Sequence, residues 1–413
     1  MGFNPVIPVG NLVEYSRGGG WGKETPFEGS SRVAIIRGAD FPSVAQGSYG
    51  GLPVRYEKDS TVNSVTLRAG DIVLENSGGT DSRPTGRTVF VTNELIDAYD
   101  CPVIPASFCR LLRFDNRANS EFVYYWLQEM YSAGRTWGYQ NRSTGLSNFQ
   151  YKVFADSELL PDLPIEVQSK IASVLSAFEK KIRENNRQND YLAELLDVLF
   201  VDMLNDADAS WERLSLLDIA SYKNGLAMQK FRPAPGDPGL PVLKIKELGQ
   251  GVCTPDSERC ASTIDESVKI HDGNLVFSWS GTLLLDFWAG GDAGLNQHLF
   301  KVTSDRYPSW LYYLWTKHHM DRFIMLAKDR ATTMGHIKRS ALAESEVLIP
   351  PVEQLEVLTR RMQPIVDELV VNKIQSRNLA GLRDVLLPKL MSGEIDVSNV
   401  RLSMPPNNHL SAG

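Results

Sequence analysis

Catalysis needs residues that can cradle phosphate, hold a metal, attack a bond or carry a proton, and this chain of 413 residues offers few such settings. The densest is Arg17-Gly18-Gly19-Gly20-Trp21-Gly22-Lys23. Clustered glycines followed by lysine can wrap a phosphate. The spacing fails, because GxxxxGK[ST] needs glycine at 17 and a hydroxyl at 24, where Arg17 and Glu24 stand. GxGxxG fails as well, with Lys23 at its last position. No HExxH, GxSxG or EF-hand loop is present. Nor is there an Asn/Asp-Pro-Pro-Tyr/Phe tetrapeptide for methyl transfer to an amino group; Met404-Pro405-Pro406-Asn407 belongs to the tail. His271, His298, His318, His319 and His336 show no metal-ligand spacing. Cys101, Cys109, Cys253 and Cys260 form no CxxC pair and read as reduced thiols. No metal is expected.

What remains is a set of polar and basic loops. Asn76-Ser77-Gly78-Gly79-Thr80 is one. Residues 135–149 interleave Trp137, Tyr139, Gln140, Asn141 and Arg142. Residues 301–339 carry eight Lys or Arg against Asp305, Asp321 and Asp329, with His318, His319 and His336 among them. Such stretches suit surface recognition, and they also describe an ordinary mixed surface.

Net charge is −7, and its distribution says more than its sum. Residues 156–209 hold 5 basic and 12 acidic side chains, while the segments on either side balance. Apolar content of 42% and charged content of 23% describe a soluble protein. No apolar run nears the roughly 18 residues that span a bilayer. The N-terminus lacks a basic region before an apolar core, and Val6 breaks the myristoylation pattern begun by Met1-Gly2. A cytoplasmic location follows as the expectation.

The elements that position these loops recur. Residues 33–37 and 72–74 read as strands, and 121–130 as an aromatic helix with Tyr124, Tyr125 and Trp126. Residues 160–204 then place Ile171, Val174, Phe178, Ile182, Leu192, Leu195, Leu199 and Met203 on one helical stripe, broken by Asn185 and Asn189. After it the pattern restarts. Residues 241–245 match 33–36, Asp272-Gly273-Asn274-Leu275-Val276-Phe277 matches 70–74, and Ser280-Gly281-Thr282 matches 77–80. Tyr312-Tyr313 answers Tyr124-Tyr125, and 347–391 is a second long helix with Leu358, Met362, Ile365, Leu369, Leu379, Leu382, Leu386 and Leu390 on its stripe. Gln354 matches Gln168. The chain is therefore a duplicated unit of globular domain plus long helix. If the helices pair antiparallel, Asn185 and Asn372 meet in one central polar layer that fixes register. Pro364 and Pro388 should bend the second helix or limit its regular pairing.

These features together resemble the specificity (S) subunit of type I restriction–modification systems. The resemblance rests on Pro164-Ile165-Glu166-Val167-Gln168-Ser169-Lys170-Ile171 and Pro350-Pro351-Val352-Glu353-Gln354, each opening a long helix. It also rests on Leu386-Leu387-Pro388-Lys389-Leu390-Met391-Ser392-Gly393-Glu394-Ile395 and on the duplication, and it covers nearly all of residues 1–400. The second helix start lacks one residue of the usual pattern, between Val352 and Glu353.

The resemblance implies an α+β fold: two similar target-recognition domains of mixed sheet and helix, joined by two long antiparallel spacer helices in a pseudo-twofold arrangement. The expected divisions are domain one at 1–158, a spacer helix at 159–207, domain two at 208–347, a second spacer at 348–393 and a flexible tail at 394–413. It implies a non-catalytic subunit whose domains each read half of a split double-stranded DNA target. The helices would set the gap and dock two methyltransferase subunits, with two restriction motor-nuclease subunits joining where the system has them. No cofactor is expected on this chain; S-adenosylmethionine, and ATP with Mg2+, would serve the partners. Candidate DNA contacts are Lys23, Asn76, Ser77, Arg83, Arg87, Gln140, Asn141 and Arg142 in the first half, and Gln297, His298, Arg330, Thr332, Thr333, His336 and Lys338 in the second. Two rivals stand beside this reading: an adaptor whose helices only assemble other proteins, and part of a fused restriction or methylation enzyme.

Overall fold

A computed structural model describes residues 6–141, 147–328 and 337–397. The chain forms two compact units: Met1–Arg183 with Ala380–Gly413, and Glu184–Leu379. The long helices Ile165–Asn205 and Val352–Met391 each contribute to both units. The units therefore divide within the helices.

The first unit is built on an antiparallel sheet in the order Val13–Gly18, Cys109–Phe114, Ile72–Glu75, Thr88–Phe90. A second sheet runs Val54–Lys58, Ser30–Ile36, Val103–Pro105, with its last pair parallel. Ile72–Glu75 is buried throughout because it is central in its sheet and covered on both faces. The turn before it is held by Asp71, whose carboxylate accepts from the Arg68 N–H at 2.7 Å and pairs with Arg113 at 2.7 Å. Helix Ser120–Ser132 buries Phe122, Tyr125, Leu127 and Met130 against Ile171 and Leu175 of one long helix and Leu387 and Leu390 of the other.

The second unit repeats this plan. Its main sheet runs Ser221–Asn224, Leu299–Thr303, Leu275–Ser278, Leu285–Phe287. Its second sheet pairs Leu240–Leu243 in parallel with Ala293–Leu295. Helix Ser309–His318 carries Tyr312 and Tyr313 where the first unit has Tyr124 and Tyr125. Each unit also has a two-stranded antiparallel pair, Val6–Pro8 with Leu159–Pro161 and Glu212–Ser215 with Glu346–Ile349.

Within the second unit the long helices are antiparallel. Asn185 Nδ2 donates to Gln375 Oε1 at 2.8 Å and Ser376 Oγ at 3.2 Å, and Asn189 Nδ2 donates to the Leu369 carbonyl at 3.2 Å. Asn372 Nδ2 donates to Asn189 Oδ1 at 3.0 Å. Asn185 and Asn372 are both buried, so this is one polar layer inside the helix pair. The helix Val352–Met391 runs continuously through Pro364 and Pro388. Packing of Met362, Val366, Leu387 and Leu390 in the cores keeps the flanking turns in place despite the lost N–H groups.

Three features depart from the simple repeat and stripe. Leu195 and Leu382 lie outside the cores, at 44% and 53% exposed. The buried arc instead follows Leu196, Leu199, Phe200 and Met203 on one helix and Leu387, Leu390 and Met391 on the other, because each helix packs against its domain as well as its partner helix. Gln168 is buried and accepts from the Asn119 N–H at 2.8 Å, which fixes the start of helix Ser120–Ser132. The second unit does this with Gln363, whose Oε1 accepts from Ser309 Oγ at 3.1 Å and the Trp310 N–H at 3.5 Å, and not with Gln354. The start of the expected tail is also packed: Val397 is buried in the first core and Lys389 pairs with Glu394 at 2.9 Å. Residues 398–413 lie outside the described residues.

Candidate nucleic-acid interface

The glycine cluster explains itself first. Gly19 and Gly20 donate to the carbonyls of Cys109 and Pro105, both at 3.0 Å. A Cβ on Gly19 would come within 1.9 Å of the Pro105 oxygen. The glycines thus serve a close backbone crossing, with no phosphate cradle implied. The second unit crosses in the same way: Gly225 donates to the Leu299 carbonyl at 3.0 Å, and a Cβ there would meet the Asn296 and Leu295 oxygens at 2.3 Å.

Each crossing supports a turn between the parallel strand and the next antiparallel one. In the first unit Ala106 donates to the Ile36 carbonyl at 2.9 Å, and Cys109 donates back to Ala106 at 2.8 Å. In the second, Asn296 donates to Leu243 at 3.1 Å and Leu299 to Asn296 at 3.0 Å. The Phe108 carbonyl accepts from Asn76 at 2.8 Å and Ser77 at 3.1 Å, and the His298 carbonyl accepts from Trp279 at 3.3 Å. Residues 106–108 and 296–298 are therefore counterparts.

Around the first turn stand most of the candidates from the first half of the chain. Arg83 and Arg87 both grip Glu75, a carboxylate only 3% exposed. Arg87 binds it through Nε at 2.9 Å and Nη2 at 2.6 Å, and Nη2 also donates to the Gly38 carbonyl at 2.7 Å. Arg83 reaches Glu75 at 3.0 Å and the Gly78 carbonyl at 2.6 Å. Their role is to anchor residues 76–87, and with Glu75 and Asp81 counted the two arginines leave the loop without net charge. Ser77 Oγ donates to Asn148 Oδ1, and Gln140 Oε1 accepts from the Thr85 N–H at 2.8 Å. These two tie neighbouring loops together. Asn141 pairs with Asn148 in a short ladder and is exposed. Lys23 is exposed and lies 4.8 Å from the Phe27 ring centroid. Beside Asn76, a groove of about 480 Å³ is lined by Arg110, Gln150, Tyr151 and Lys152, with Arg110 4.4 Å over the Tyr151 ring.

In the second unit Gln297 and His298 line a groove of about 500 Å³ with Gln229, Arg232, Lys244, Lys246 and Glu258. Glu258 is held by Lys244 at 2.6 Å and Arg232 at 2.9 Å, and these partners keep its carboxyl below the usual range. Three cations against one carboxylate leave the groove positive. Lys338 is exposed just before helix Arg339–Ala343. Arg142, Arg330, Thr332, Thr333 and His336 lie outside the described residues.

Sequence reasoning missed Arg110, Gln150 and Lys152, and also Gln229, Arg232, Lys244 and Lys246. Lys244 and Lys246 alternate directly after strand Leu240–Leu243, a signal that was readable. The others are brought together only by the fold.

No family model matches the sequence. The MjaIX type I restriction enzyme specificity subunit of Methanocaldococcus jannaschii aligns at 26% identity over 265 residues, which is 57% of this chain and 60% of that one. The EcoBI specificity subunit of Escherichia coli aligns at 20% identity over 215 residues, 50% and 44% of the two chains. The chain is a homologue of type I restriction enzyme specificity subunits. It spans less than two thirds of the length of these curated relatives. The crystal structure of a type I restriction–modification S subunit from M. genitalium superposes with a TM-score of 0.55 at 14% identity, over 94% of this chain and 96% of that one, and establishes the specificity-subunit fold. Among the described residues no helix is long and apolar enough to cross a membrane.

Proposed function

We propose that this chain is the DNA-recognition subunit of a type I restriction–modification complex, each unit reading one half of a bipartite target. One observation carries the reading: a common frame presents unlike loops at the same place, Ala106-Ser107-Phe108 in one unit and Asn296-Gln297-His298 beside Lys244 and Lys246 in the other. Cations hold phosphate, and side chains at fixed turns read base edges.

The polar layer of Asn185, Asn189 and Asn372 supports a fixed helix register, and so a fixed gap between half-sites. Tyr191, Leu195, Val198 and Val201 are exposed on an acid-rich helix and suit docking of modification subunits. The chain itself would be non-catalytic. Methylation from S-adenosylmethionine belongs to those partners, and ATP- and Mg2+-dependent cleavage to restriction subunits if the system has them. Co-expression with a cognate methyltransferase, followed by mapping of methylated sites, tests this. The expected result is a two-part motif with a constant gap. A single uninterrupted motif, or methylation with no sequence preference, would refute it.

A further inference from the structure

Phe108 stands apart from the other exposed apolar residues. Its side chain is 60% exposed. Its backbone is nonetheless pinned, with the carbonyl accepting from Asn76 and Ser77 and the next residue donating back across the turn. Among the described residues its ring has no aromatic or cation partner. A rigid turn that offers a bare phenyl ring gains nothing for the fold, because burying that ring would be favourable. Isolated exposed apolar residues are common, so exposure alone decides nothing. Position decides it. The counterpart of Phe108 is His298, which with Gln297 lines the basic groove of the second unit. Its carbonyl also holds Asn76 and Ser77, at the start of the loop that Arg83 and Arg87 anchor on Glu75.

We infer that Phe108 is a specificity-determining residue that packs on the 5-methyl group of a thymine in the half-site read by the first unit. This rests on the recognition reading above. The chemistry follows from what a base pair displays in the major groove. Its edge carries hydrogen-bond donors and acceptors, and thymine adds the one apolar group, its methyl. A phenyl ring finds nothing else there to desolvate favourably. The two units thus use one turn in two ways: amide and imidazole in the second, an apolar surface in the first.

The test uses the full chain assembled with its co-expressed methyltransferase and a duplex carrying the mapped target. Each thymine is replaced in turn by deoxyuridine, which lacks only the methyl. The wild type should lose about fourfold in affinity at one position of one half-site, the worth of one buried methyl. Phe108→Ala should lose a similar factor on the normal duplex and become indifferent to uracil at that position. Phe108→Leu should restore most of both. Uracil sensitivity that persists unchanged in Phe108→Ala would overturn the inference while leaving bipartite recognition intact. So would a Phe108→Ala defect confined to assembly with the methyltransferase. Absence of any sequence-specific binding by the wild type would remove both this inference and the recognition reading.

Discussion

Residues 76–87 and 279–284 leave the same strand of the same frame, yet they are held in different ways. The first loop is twice as long as the second. It is clamped by the buried Glu75 with Arg83 and Arg87. At the position of Glu75 the second unit has Ser278, whose hydroxyl donates to the carbonyls of Thr282 at 2.7 Å and Ser280 at 3.1 Å. A longer loop has more freedom to lose on ordering. A carboxylate shared by two guanidiniums offsets that loss with charge-assisted bonds, and a hydroxyl suffices for the short loop.

If this contrast is right, removing the anchors should have unequal effects. Glu75→Ala strips both arginines of their counter-charge and should cost about 2–3 kcal/mol, at the low end for a broken buried pair because the arginines remain partly exposed. Hydrogen exchange should show the loss confined to the first unit, with recognition of one half-site relaxed. The frame should instead break symmetrically. Gly19→Ala and Gly225→Ala each force a Cβ into backbone oxygens and should each cost about 2 kcal/mol in their own unit, read by urea denaturation. A large cost at one site alone would show that the crossing is not a shared device. Ser278→Ala should cost only about 1 kcal/mol. A loss equal to that of Glu75→Ala would erase the distinction between the loops.

The smallest expected effect is a divergent response to pH. Burial, with Glu179 nearby, pushes the Glu121 carboxyl in the first unit up to about 6. Its folded value exceeds its unfolded one, so it favours folding at low pH and loses that contribution as pH rises through about 6. Burial lowers His319 in the second unit. That contribution is present above the ordinary histidine value and lost as pH falls below it. Between about pH 7 and 5, Glu121→Gln should flatten a gain in protection of the first unit, and His319→Asn a loss in the second. His271 in the second unit is raised by Asp292 and Glu266 and acts in the opposite sense, so the comparison is with the parent, and a pH slope left unchanged by either substitution would contradict this.

The duplication was legible because strand-turn patterns and the tyrosine pairs recur in order. The long helices were legible from their period, yet Leu195 and Leu382 were misplaced, since a stripe drawn at 3–4 spacing does not say which of two packing partners a residue faces. Gln354 aligned with Gln168, but the matching anchor is Gln363, because an anchor is defined by the helix start it reaches. Glu75, Arg83 and Arg87 gave no sequence sign of meeting, as loop closure follows no period. Arg83 and Arg87 were singled out as basic loop residues, and the structure adds the carboxylate beneath them. Phe108 carried no signal at all, since a phenylalanine between strands ordinarily reads as core.

The crossing at Gly19 and Gly225 has an evolutionary consequence. It joins backbone to backbone, so the joint stores no side-chain information beyond the absence of a Cβ. Side chains of the adjoining turn can change without loosening that joint, so on the proposed recognition reading new loop chemistry would leave the scaffold intact.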